Sequence, residues 1–362
     1  SLKDLDKGQI IHCDMTKRGL LEIDFNIGST LIDMYVKCGS LTGAQAVFDT
    51  LPILAQNVFA WTALITGYVE HQRCEEALFH LEKMQNKGIL PTPVTFICGL
   101  ISCGILRTLD RAHEKHLEII KRGLERDMMI GNTLVDMYAK CGSLAEAEVV
   151  FDKLVMRNVV SFNVIIGAYV EQGHGEEALR YLENMHCEHI SPNATTLTCS
   201  LKACIGIGDF DKGRWIHSQT IKQGLIHADP MVGISLVEMY AKYNSLDEAK
   251  AVFDAVCDQT VIMWGTLLWG YACQGESEHV FHLYNQMVEE GVHPDDISFL
   301  SLLIVCSHAG LMKEALKSII SMREEYGLAS NIEHCNCIID LFCRAGLLAK
   351  AAIVMERMPF QP

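Results

Sequence analysis

Three sets of residues have types and spacings that could do chemistry. His186-Cys187-Glu188 and His116-Leu117-Glu118 share the His-x-Glu form, in which a zinc ligand stands two residues from a proton-shuttling carboxylate. Hydrolytic deamination of a nucleobase also needs a Pro-Cys-x-x-Cys partner, and no Pro in this chain is followed by Cys. With 15 His in the chain, chance matches to the first half are expected. Cys335, Cys337 and Cys343 with His334 could suggest a second metal cluster. Zinc sites want four converging ligands at loop-like spacing, whereas these residues lie along one predicted helix pair, where core packing is the better reading. His12, His116 and His217 form the third set. Catalysis would not need three copies about a hundred residues apart, so they read as packing or capping side chains. No Gly-rich phosphate loop, Ser-His-Asp set or paired-carboxylate arrangement stands out. The residues predict no catalytic site, no metal and no cofactor.

The recurrence of the His residues points to the elements that hold them. Asp33-Met34-Tyr35-Val36-Lys37-Cys38-Gly39-Ser40-Leu41 returns as Asp136-Met137-Tyr138-Ala139-Lys140-Cys141-Gly142-Ser143-Leu144. It returns more weakly at 238–246 and, degenerate, at 340–348. Tyr35, Tyr138, Tyr240 and Phe342 are therefore 103, 102 and 102 residues apart. Trp61, Phe162 and Trp264 follow the same period, as do Pro91, Pro192 and Pro294, and the Leu5-Asp6-Lys7-Gly8…His12…Gly19 pattern with its later copies. Each long period holds three units of roughly 31, 35 and 36 residues, the size of helical repeats. Within a unit, Leu134, Met137 and Tyr138 recur at helical spacing. Gly142 supplies a left-handed helix end, and Ser143 with Glu146, like Ser245 with Glu248, predicts a capping box on the next helix. No alternating strand pattern persists.

Composition sets further bounds. A net charge of -15 argues against a simple basic patch that grips any polyanion. The 15 Cys fall at repeat-related helical places, as reduced, buried small hydrophobes rather than a disulfide framework. No apolar run approaches bilayer-spanning length. The chain opens at Ser1 without Met or a targeting peptide and closes at Met358-Pro359-Phe360-Gln361-Pro362. Both ends are expected to be cut from something longer.

At these strings the chain resembles the pentatricopeptide repeat proteins of the plant type that alternates P, L and S motifs. Val159-Val160-Ser161-Phe162-Asn163 opens a P motif closing at Ile190-Ser191-Pro192-Asn193, the Met-Tyr-Ala-Lys-Cys-Gly strings are S motifs, and Leu201-Lys202-Ala203-Cys204 belongs to an L motif. The resemblance implies an all-α, right-handed superhelical solenoid of helix-turn-helix repeats. Its expected units are a truncated L (1–24), S (25–57), P (58–92), L (93–127), S (128–158), P (159–193), L (194–229), S (230–260), P (261–295), L (296–331) and S (332–362). Cys306-Ser307-His308-Ala309-Gly310-Leu311 and Met355-Glu356-Arg357-Met358-Pro359-Phe360 resemble the motifs that precede C-terminal extensions, often with a cytidine deaminase domain, in that family.

The same resemblance implies single-stranded RNA as the partner, read one base per repeat by the fifth and last residues. A small apolar second residue from each of two successive repeats sandwiches the base. The implied pairs are Ser29 with Asn57, Thr62 with Thr92, Asn132 with Asn158, Asn163 with Asn193, Thr198 with Asp229, and Gly265 with Asp295; Asn336 holds the fifth place of the last unit. Ser29/Asn57 resembles an adenine reader, Asn132/Asn158 and Asn163/Asn193 pyrimidine readers, Thr62/Thr92 a purine reader and Thr198/Asp229 a guanine reader. Ile97, Ile234 and Leu300 cannot hydrogen-bond a base, so discrimination is expected in the N-terminal half and weak readout after residue 230. Lys37, Lys140, Lys242 and Arg344 share one register position, where Glu70, Glu171 and Cys273 stand in the P units. They suit either successive phosphates or a solvated surface, and the sequence leaves both open. The implied role is site recognition in C-to-U editing of mitochondrial or chloroplast RNA, with a deaminase in a missing C-terminal part or supplied in trans, and editing-complex proteins as further implied partners. RNA stabilisation, splicing or translation, and protein binding by a helical solenoid, are the alternatives.

Overall fold

The computed structural model describes residues 2–18, 25–53 and 55–356. Gly19, Leu54 and the closing Met358-Pro359-Phe360 string lie outside them. Among the described residues the regular elements are helices, with no strand.

Two compact units divide the chain, Ser1–Gln172 and Gly173–Pro362. In the first, one layer is made by helices Phe25–Lys37, Val58–Glu70, Pro93–Leu106, Met128–Lys140 and Val159–Glu171, each packed on the next. The intervening helices Leu41–Thr50, Cys74–Asn86, Leu109–Lys121 and Leu144–Asp152 form a second layer. The second unit repeats this, with Ala194–Ile207, Pro230–Lys242, Val261–Cys273, Asp296–Ala309 and Ile332–Arg344 in the first layer. Each helix is short and would be marginal alone, so stacking supplies its stability.

The periodic aromatic residues explain the stacking. Trp61 and Trp264 are fully buried and meet Phe48 and Phe253 edge-on at 4.5 and 4.6 Å; Phe162 meets Phe151 at 5.1 Å. Each is the fourth residue of its helix, pressed onto the second helix of the unit before. Truncating such a residue to Ala costs about 3–5 kcal/mol. The S-type hairpins turn at Gly39, Gly142, Asn244 and Gly346, all with positive φ (78°, 83°, 59° and 73°), as the sequence predicts for Gly142.

One expected device differs. Ser143 does not cap its helix through its side chain; its hydroxyl donates to the Glu146 carboxylate instead. Ser245 likewise makes no side-chain cap bond. Where the residue three places on is Gly43, with no carboxylate, Ser40 does accept from the backbone N–H at 3.3 Å. At Ser143 the carboxylate takes the hydroxyl as a donor and draws it away from the helix end.

Candidate nucleic-acid interface

A helix leaves its first N–H groups without intrahelical partners, and Asn, Asp, Ser or Thr just before it can accept from them. Among the described residues that duty falls on the last residue of the expected repeats. Asn57 Oδ1 accepts from the N–H groups of Phe59 and Ala60 at 3.0 and 3.1 Å. Asn158 and Asn193 accept from Ser161 and Thr196, both at 3.0 Å, in reciprocal capping boxes. Thr92 caps through Thr95, Asp229 through Met231, Thr260 through Met263 and Asp295 through Ser298. Asp127 and Asn331, at the ends of two L units, do the same. Sequence reasoning missed this second task, although the residue types just before each helix signal it.

Capping fixes which atoms remain for a ligand. An Asn cap must turn Oδ1 to the backbone, so Nδ2, a donor, faces outward; Asn158 Nδ2 points to Met128 Sδ at 3.1 Å. An Asp cap commits one oxygen and presents the other as an acceptor. Asp295 takes the Ser298 amide and hydroxyl on Oδ1 at 2.9 and 2.7 Å, leaving Oδ2.

The fifth residues lie one turn along the same helices. Ser29 and Thr62 donate to the carbonyls of Asn26 and Val58 at 2.8 and 2.7 Å. Asn132 Oδ1 and Thr198 Oγ1 are shielded from solvent without a hydrogen-bond partner, a costly state that calls for an explanation. Asn163 is half-buried and Asn336 exposed. A Cβ placed on Gly265 would lie 3.8 Å from Asp295 Oδ1, so the fifth and last places of this expected repeat converge. Asn163 belongs to the first unit and Asn193 to the second.

The second residues form a series. Phe59, Val94, Met129, Val160, Met231, Ile262 and Ile297 are all large apolar side chains between 49% and 66% exposed. Scattered surface apolar residues are ordinary; seven at one register position are not scattered. Asn26, Thr195 and Glu333 interrupt the series.

The register cations are mostly tied to their own helices. Lys37 pairs with Asp33 and Lys140 with Asp136 at 2.7 Å, and Arg344 with Asp340 at 2.9 Å. Such exposed pairs are worth little and are screened by salt. Ser307, donating to Asp340, and then Arg344 hold that carboxyl below its usual range. Among the described residues Lys242 has no ion pair.

The recurring His residues have partners that sequence reasoning did not supply. His12, His116 and His217 place Nδ1 3.0, 2.8 and 2.7 Å from the hydroxyls of Tyr35, Tyr138 and Tyr240. Each bond ties the second helix of an L unit to the first helix of the next S unit. In the last triplet the equivalent residues are Ile319 and Phe342, both in one apolar cluster. Burial pushes His116 and His217 below the ordinary imidazole value, aided at His116 by Lys153 and His113, with Glu125 opposing. It pushes Tyr138 up to about 12. The His-x-Glu residues are occupied likewise. Glu118 accepts from Gln85 and Arg122, and His186 meets the edge of Trp215 at 5.5 Å. His334 Nδ1 accepts from the Asn331 amide at 3.2 Å and its Nε2 lies 2.9 Å from the Asp296 carbonyl; Cys335 is buried and Cys343 exposed.

Models described as PPR repeat match residues 59–89, 132–159, 297–326 and 333–360, and those of the PPR repeat family match 157–206 and 259–308. The chain is similar to a mitochondrial pentatricopeptide repeat-containing protein of Arabidopsis thaliana, 32% identical over 362 residues, 100% of this chain and 52% of that protein. It is 31% identical over 362 residues to a chloroplastic one from the same plant, covering 100% and 44%. DOT4, also chloroplastic, is 38% identical over 336 residues, covering 92% and 38%. The chain thus spans about half the length, or less, of these curated relatives. Among solved structures it is similar to the pentatricopeptide repeat protein PPR10 in complex with an 18-nt psaJ RNA element, with a TM-score of 0.79 and 20% identity over 93% of this chain and 50% of that one. The crystal structure of PPR10 from maize gives a TM-score of 0.66 and 18% identity over 94% of this chain and 54% of that one. Repeat models over more than half its length, relatives along all of it and a shared helical-repeat fold show that the chain belongs to the pentatricopeptide repeat family.

Proposed function

We propose that this chain is a sequence-specific single-stranded RNA scaffold of the P, L, S type. It takes one base per repeat and has no catalytic role of its own. The observation that carries this is the series of seven exposed apolar second residues, in register with polar last residues and, at Thr62, Asn132 and Asn163, with polar fifth residues. A base edge is polar and its faces apolar; single-stranded bases splay out to offer both. Two successive apolar side chains suit the faces, and the capped Asn, Asp and Thr suit the edge. That PPR10 forms a complex with an RNA element supports the reading.

The cap geometry gives the expected code a physical basis. An outward Asn Nδ2 donates to the ring-nitrogen acceptor of adenine or cytosine; an outward Asp oxygen accepts from the ring N–H of guanine or uracil. Ser29/Asn57 then favours adenine, Asn132/Asn158 and Asn163/Asn193 cytosine among the pyrimidines, and Thr198/Asp229 guanine. Thr62/Thr92 favours a purine. Lys37, Lys140 and Arg344 exchange their local acid partners for backbone phosphates, and Lys242 meets one without such an exchange.

The setting we infer is C-to-U editing in a mitochondrion or chloroplast, the organelles named for the relatives, with the deaminase elsewhere in a longer protein or in trans. The test is selection from a random single-stranded RNA pool, with DNA and salt controls. Enrichment of adenine followed downstream by cytosines at the Asn132 and Asn163 repeats is expected, with affinity falling as salt rises. Equal retention of every polyanion, or none, would sink the proposal and favour a protein-binding solenoid. Loss of the protein should leave specific cytidines unedited; altered transcript ends or introns with normal cytidines would favour stabilisation or splicing instead.

A further inference from the structure

In three consecutive repeats the fifth residue offers no hydrogen bond: Ile234, Gly265 and Leu300. Their second residues Met231, Ile262 and Ile297 remain exposed, so the apolar faces persist where edge reading is lost. The middle helix, Val261–Cys273, carries a feature that the other P units lack. Residues at i, i+3, i+7 and i+11 share a helix face. Here they are Ile262, Gly265, Trp269 and Cys273; in the other P units they are Phe59, Thr62, Thr66, Glu70 and Val160, Asn163, Gly167, Glu171.

Trp269 is 41% exposed. A large aromatic ring so exposed one turn below a glycine, on the face that carries the reading positions elsewhere, is open to a ligand. The acid of the other two units is also gone from this face. Lys242 ends the neighbouring helix at the matching register place, close enough to act electrostatically on the Cys273 thiol, and it lacks the ion pair its three counterparts make. Glu238 is exposed on the same face of that helix without taking it.

We propose that Trp269 is a nucleobase-stacking platform. A base enters past Gly265 and lies against the indole, while Lys242 neutralises an adjoining phosphate. This stretch then holds RNA without choosing its sequence, because every base offers a π face. The inference rests on the RNA-binding reading above and adds to it a contact outside the fifth and last residues.

The experiment is a fluorescence titration with the selected RNA, in a Trp215→Phe background. Trp61 and Trp264 are fully buried, so Trp269 reports. Binding should quench it. Trp269→Ala should weaken binding about 5- to 150-fold, the range for losing one stacked base, with the base profile unchanged and helix content retained; Trp269→Phe should restore most of the affinity. Lys242→Ala should reduce the salt slope by about one. RNA binding with the selected motif but no quenching, or with full affinity in Trp269→Ala, overturns this inference and leaves the RNA reading intact. Absence of any RNA binding overturns both.

Discussion

Asn158 caps a helix and, in the proposed reading, also faces a base; substitution can separate the two. Its Oδ1 accepts from the Ser161 amide at 3.0 Å and the Ser161 hydroxyl at 3.2 Å, while Nδ2 faces away. Asn158→Ala loses the cap, about 1 kcal/mol, and frees a buried hydroxyl, for a total of roughly 1–2 kcal/mol. Asn158→Asp keeps an oxygen in the cap and adds a negative charge at a helix N-terminus, favourable by about 0.3–1 kcal/mol. The Asp variant should therefore be as stable as the parent, or slightly more so. Yet it replaces an outward donor by an acceptor. Preference at one base should turn from cytosine to uracil, by about tenfold for each 1.4 kcal/mol of mismatched pairing. Denaturant melts, hydrogen exchange at the Ser161 amide and binding to RNAs differing at that base measure the three effects. Two results would refute the reasoning. If Asp is as destabilising as Ala, the cap is not what positions the side chain. If Asp is stable and the base profile does not move, the last residue is not a reader.

Three other outcomes are expected. Gly265→Asn should fold, because its Cβ meets Ile297 at an ordinary 3.5 Å, and should create a uracil preference with Asp295 at a base the parent does not discriminate; a flat profile in the pool would count against convergence of these places. Tyr138→Phe should cost about 1–3 kcal/mol by stranding a His116 nitrogen, whereas Tyr138→Phe with His116→Ile, which copies Phe342 and Ile319, should cost less than the sum of the singles; additive denaturant midpoints would deny the coupling. His116 and His217 have folded values below 6.5, mainly through burial, so the unfolded chain takes up protons first as pH falls. Their contribution is complete above 6.5 and is lost as pH falls through the folded values. Melts should shift down over that window, less steeply in His116→Gln, and an unchanged slope would show that His116 is not involved.

The repeat and the helical fold were legible because the same strings recur with Gly, Asn or Pro at their turns. Trp61, Phe162 and Trp264 needed only periodicity to be placed at matching positions of the repeat, whereas their partners Phe48, Phe151 and Phe253 emerged from the packing. The expected reading positions could be numbered once the register was set. Their physics could not. That Asn57, Asn158 and Asp295 already serve the backbone depends on which residue starts each helix, and boundaries are where sequence patterns are weakest. The His–Tyr bonds were hidden for another reason: His116 and Tyr138 are 22 residues apart and lie on different expected units. Ser143 misled because Ser and Glu three apart fit two geometries, and only the positions of their oxygens distinguish a cap from a side-chain pair.

The cap at each repeat boundary restricts what such a protein can become. In the proposed reading, a letter changes at least cost to the scaffold among residues that still begin a helix, namely Asn, Asp, Thr or Ser. Apolar replacements at that place lose the cap, about 1 kcal/mol each. Asn and Asp differ by one nucleotide in their codons and share the cap, yet they face a base with opposite polarity. If the proposed reading holds, a lineage carrying Asn158 or Asn193 is one point mutation from a different RNA letter, with almost no thermodynamic toll on the scaffold.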